Sequence, residues 1–150
     1  MNLTEHFTLA ELIASDMALR HGIPNLPEDP HITGNLHVLA RGLERTRLIL
    51  NRPMVITSGY RSERVNALVG GARNSAHLRG LAADFKVPGM SAREVCRAIK
   101  DHASIGFETL ICEGAWAHIA FTDEARSPAM HVLTAHFTPG HPTSYSKGIT

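Results

Sequence analysis

The chain has 150 residues, 43% of them apolar and 19% charged, with a formal net charge of +1. That length supports one compact domain with a real core, residues 1–150, and the composition excludes a disordered or fibrous chain. Scattered Lys and Arg at near-neutral charge exclude nucleic acid as the expected partner, and no apolar run approaches the ~20 residues of a membrane-spanning helix.

The opening Met1-Asn2-Leu3-Thr4-Glu5-His6-Phe7 lacks the basic and then apolar layout of a signal peptide, so no export through a signal of its own is expected. Thr8 to Arg20 reads as one amphipathic helix. Thr8 caps it, Glu11 completes a capping box, and Leu9, Leu12, Ile13 and Met17 share a face. His21-Gly22 ends it, and a linker punctuated by Pro24, Pro27 and Pro30 follows. A longer helix is predicted from Ile32 to Leu50, with Leu36, Leu39, Leu43, Thr46 and Leu50 at helical spacing.

After Pro53 the period changes. Met54 to Ser58 is a short strand broken by Gly59-Tyr60-Arg61, and Ser62 to Val69 makes one or two helical turns. Gly70 to Gly80 reads as a loop and Ala82 to Val87 as a second strand. Ser91, with Glu94, starts a helix that ends near His102. Phe107 to Glu113 and Trp116 to Thr122 form a hairpin whose Gly114-Ala115 connection suits a type II′ turn. Met130 to Phe137 is a further strand, turned by Pro139-Gly140 towards Ser144-Tyr145. The expected class is α+β, with N-terminal helices packed on a mostly antiparallel sheet. Cys96 and Cys112 sit in apolar patterns and are expected to be buried, inert thiols.

Chemistry concentrates in two places. His77 stands on the loop and Asp84 early in the next strand, a nitrogen and oxygen pair suited to Zn²⁺. A catalytic zinc takes three protein ligands and keeps a position for water. In the hairpin, a two-residue turn sets Glu113 opposite Trp116 and Ile111 opposite His118, so these four share one face. Leu110, Cys112, Ala117, Ile119 and Phe121 share the other, apolar face. His118 is therefore available as a third ligand. Taken singly, each residue has a plainer reading: a surface histidine, a turn-capping Asp84, a core Trp116, a solvated Glu113. His131 and His136 fall on opposite faces of their strand and are not expected to share a metal.

The pattern Ser75-x-His77-x-x-Gly80-x-Ala82-x-Asp84 followed by Trp116-x-His118 resembles the zinc D-Ala-D-Ala carboxypeptidase and L-alanyl-D-glutamate endopeptidase family of murein peptidases. The branch found in phages and prophages is particularly similar. The likeness extends to His6-Phe7-Thr8-Leu9-x-Glu11-Leu12, Ile56-Thr57-Ser58-Gly59-Tyr60-Arg61-Ser62 and Val132-Leu133-Thr134-Ala135. It implies a hedgehog/DD-peptidase-like fold and one Zn²⁺ held by His77, Asp84 and His118. It further implies an Arg61 that engages substrate or the developing oxyanion, and a Ser75 hydroxyl facing the cleft; Trp116, on the same hairpin face as His118, is the further candidate for binding substrate. Many members place their catalytic glutamate where this chain has Ala115, so Glu113, on the correct face, is taken as the general base.

The function this implies is zinc-dependent cleavage of peptidoglycan stem peptides or cross-bridges by a phage or prophage lysin, with endopeptidase favoured over carboxypeptidase. The protein is expected to act as a monomer at the cell wall, after release by a holin or as part of a virion. Two rivals follow from the same residues: a non-catalytic phage structural or wall-binding module, suggested by Ala115, and a zinc peptidase acting on an ordinary protein or on free D-Ala-D-Ala.

Overall fold

A computed structural model describes residues 1–150. Its elements are α1 (Leu9–Ile13), α2 (Asp16–His21), α3 (Pro30–Leu50), β1 (Val55–Ser58), α4 (Glu63–Leu68), β2 (Ala82–Lys86), α5 (Ala92–Ile99), β3 (Thr109–Glu113), β4 (Trp116–Ala120), β5 (His131–His136) and β6 (Ser144–Lys147). The class is α+β, as the sequence predicts.

The predicted helix from Thr8 to Arg20 is two helices. Thr8 does form the capping box with Glu11, but Ala14 turns extended at ψ 138° and the Ser15 hydroxyl accepts the Ala18 N–H to start a second helix. A local cap thus overrides a continuous apolar period. The long helix begins two residues earlier than its apolar spacing suggests, because Asp29 caps it and Pro30 occupies the first turn.

Six strands form one sheet in the order β1-β2-β4-β3-β5-β6. Every pairing is antiparallel except β3 with β5. Gly114 has φ +75° while Ala115 stays at negative φ, so the two-residue turn keeps Glu113 opposite Trp116 and Ile111 opposite His118. The register also sets Asp84 opposite His118. Between Ile56 and Ser58 the β1 register slips by one residue, which brings Ser58 opposite Asp84. A single row thus crosses four strands: Ser58, Asp84, His118, Ile111.

Beneath the sheet lies the core, where Phe85, Leu110, Cys112, Ala117 and Ile119 pack with Leu36, Leu39 and Leu43 of α3 and Val95, Cys96 and Ile99 of α5. Both cysteines are buried and unpaired. No helix is long and apolar enough to cross a membrane.

Candidate metal centre

The opposite face of the sheet carries the chemistry. Alternation puts Asp84, Ile111, Glu113, Trp116 and His118 on it, and all five line a cleft of about 530 Å³. Its facing wall is irregular chain that contributes Arg61, Ser75 and His77. Every residue singled out in the sequence therefore meets in one cavity.

His77 does not sit on an open loop. Ser75 Oγ accepts the His77 N–H at 3.2 Å and caps a 3₁₀ turn over Ala76–Arg79, so the hydroxyl that borders the cleft also shapes the turn. Imidazole Nδ1 lies 2.7 Å from the Gly59 carbonyl. A carbonyl only accepts, so Nδ1 carries the proton and Nε2 presents a lone pair. That lone pair faces Asp84 Oδ1 at 3.4 Å, and His118 Nδ1 lies 2.9 Å from the same oxygen.

The charge states fit a cation. Burial pushes the His77 imidazole below its ordinary pKa, favouring the neutral ring. Burial opposes ionisation of Asp84, yet the hydrogen bond from His118 outweighs it and helps hold the carboxyl well below the usual range. The three potential ligand atoms lie within 4.8 Å of one another. A neutral imidazole lone pair aimed at a carboxylate in a buried site needs a positive centre between them. Two nitrogens and one oxygen, with an outer hydrogen bond from His77 to Gly59, are the donor set and support of a three-ligand zinc site.

Around it, Glu113 Oε1 lies 3.9 Å from His118 Nδ1. Burial raises the Glu113 carboxyl above its ordinary range. Ala115 is an exposed turn residue bordering a separate apolar hollow with Phe85, Val87 and Met90, outside the cleft that holds Glu113. Trp116 borders both cavities, and its indole Nε1–H has no protein partner. Arg61 Nη1 donates to Asn66 Oδ1 at 3.1 Å, and the Arg61 backbone N–H donates to the His77 carbonyl at 3.1 Å.

Three contributors escape the sequence reading. Asn25, in the proline-punctuated linker, donates to the Ile13 and Tyr60 carbonyls and accepts the Ser62 N–H, clamping the first helix to the Tyr60–Ser62 segment. Asn66 is a buried amide on α4. Tyr145 reaches the cleft rim from β6. Nothing in local spacing announces any of them: Asn25 reaches Tyr60 across 35 residues, and the partners of Asn66 lie five and six residues away in irregular chain outside its helix.

A family model described as Peptidase M15 matches residues 5–120. No curated protein matches the chain. The match spans well over half the sequence, and the chain belongs to the Peptidase M15 family.

Proposed function

We propose that this member of the zinc-dependent M15 peptidases cuts peptide bonds within peptidoglycan stem peptides or cross-bridges, with Glu113 as general base. The observation that carries the proposal is the position of the Glu113 carboxylate. It faces the cleft beside His118, while Ala115, where a glutamate would be sought, borders a different hollow.

His77, Asp84 and His118 would hold the zinc, which supplies Lewis acidity and lowers the pKa of water at the site. Glu113, desolvated in the cleft wall, takes a proton from the attacking water at a carboxylate oxygen and passes it to the departing amine. Arg61 supplies a fixed positive charge for the oxygen of the scissile carbonyl as it becomes anionic. Trp116 offers an aromatic wall to the peptide.

Cleavage inside the stem serves lysis better than trimming its end, which supports endopeptidase over carboxypeptidase action. The motif likeness to the phage branch supports a lysin that reaches the wall after holin release or on a virion.

Digestion of purified sacculi by zinc-loaded protein, beside a chelated control, tests the proposal through mass spectrometry of the released ends. New L-Ala, D-Glu or cross-bridge termini that vanish on chelation are expected. Turnover of free D-Ala-D-Ala alone would replace the endopeptidase with a dipeptidase. Stoichiometric zinc with no cleavage of either substrate would make the protein a binding module.

A further inference from the structure

We infer that Asn66 is a positioning residue for Arg61, one buried amide that both aims the guanidinium and fixes the Gly71–Ala72 wall of the cleft. The inference deepens the hydrolytic reading above and rests on it for its catalytic consequence.

Asn66 is only 4% exposed. Burying a primary amide is costly unless its donors and acceptors are satisfied. Here Oδ1 accepts from Arg61 Nη1 at 3.1 Å and Nδ2 donates to the Ala72 carbonyl at 2.9 Å. The Asn66 backbone carbonyl accepts the Gly71 N–H at 2.9 Å. One residue of α4 therefore ties together the arginine and the loop that borders the metal ligands. Arg61 has no other side-chain partner, and its Nε–H is buried with none at all.

The chemistry of the partner matters as much as its position. A carboxylate at residue 66 would hold Arg61 more tightly but would neutralise the charge that the substrate oxygen needs. A neutral amide fixes the fork while leaving the charge intact. The opposing residue is equally constrained. A Cβ on Gly71 would overlap Asn66 Oδ1 and lie 2.6 Å from Arg61 Nη1, so the loop must be glycine there to close on the pair.

Two substitutions test this from opposite sides. Asn66→Ala removes the amide, and Gly71→Ala displaces it without removing any functional group. In ¹⁵N-labelled protein, either change should speed hydrogen exchange at the Arg61 Nε–H while zinc stoichiometry is retained. On a muropeptide substrate, kcat/KM should fall roughly 100-fold, the scale of a misplaced catalytic group. The loss should appear mainly in kcat. Combined with Arg61→Ala, Asn66→Ala should add almost nothing, because it acts through the arginine.

Unchanged Arg61 exchange in both variants would overturn the inference, as would losses that multiply fully in the double variant. If Asn66→Ala fails to fold, Gly71→Ala carries the test alone. A wild-type protein that cuts no muropeptide would sink the hydrolytic reading, while the exchange measurement would still decide whether Asn66 holds Arg61.

Discussion

One wall of the cleft is sheet and the other is irregular chain. Asp84, His118 and Glu113 stand on β2, β4 and β3, where a continuous ladder sets their register and an apolar underside anchors them. Arg61, Ser75 and His77 follow the last residue of β1, and a handful of side-chain-to-backbone bonds from Asn25, Asn66 and Ser75 holds that segment in place. The sheet wall shares its stability with the whole core, so it resists single polar substitutions. The irregular wall concentrates its order in a few amides and hydroxyls, so small changes there should move chemistry more than folding.

The sharpest way to break this contrast is on the sheet wall itself. His118→Ala should abolish stoichiometric zinc binding and hydrolysis while leaving the fold intact, read by metal analysis, activity and circular dichroism. Full activity in that variant would move the metal site elsewhere. Next, Glu113→Gln should keep zinc but slow hydrolysis by roughly 10²–10⁴-fold, the worth of a positioned proton acceptor. A near-normal rate would hand the proton transfer to another group.

Beneath that wall, Ile119→Ala should cost about 2–5 kcal/mol in chemical denaturation, because the side chain is fully buried against the helices. On the irregular side, Asn25→Ala should cost less, about 1–3 kcal/mol, from the Ile13 and Tyr60 carbonyls and Ser62 N–H left unpaired. If Asn25→Ala proves as costly as the Ile119 change, the two walls do not differ in the way described.

The smallest effect lies away from the cleft. Arg126 and then the Ala129 N–H hold the Glu108 carboxyl down at about 2, from an ordinary value of 4.5. A depressed carboxyl stabilises the fold above the higher value and loses that contribution as pH falls through the lower one. Glu108→Gln should therefore flatten the acid limb of stability between about pH 4.5 and 2, and salt should blunt the difference because Arg126 is exposed.

The same contrast explains what the sequence discloses. Strand alternation has a strict period of two, so the hairpin's faces, its turn and the meeting of Glu113 with His118 follow from local pattern. Motif spacing likewise marks His77 and Asp84. The break at Ala14 was locally encoded by Ser15 and Asp16 but masked by apolar spacing that runs through it. The parallel pairing of β5 beside β3 depends on long-range closure that no local signal carries. Asn25 bonds Tyr60 across 35 residues. Asn66 looks like any polar residue on a short helix until Arg61 and Ala72 are folded around it.

The central claim is a single zinc held by residues from both walls, and X-ray absorption at the zinc edge of the loaded protein tests it most directly. The expected first shell holds two imidazole nitrogens and light oxygen donors, with no sulfur, and loses one imidazole in His77→Ala and one in His118→Ala. A shell containing sulfur from Cys96 or Cys112, or one unchanged by either substitution, would contradict the account.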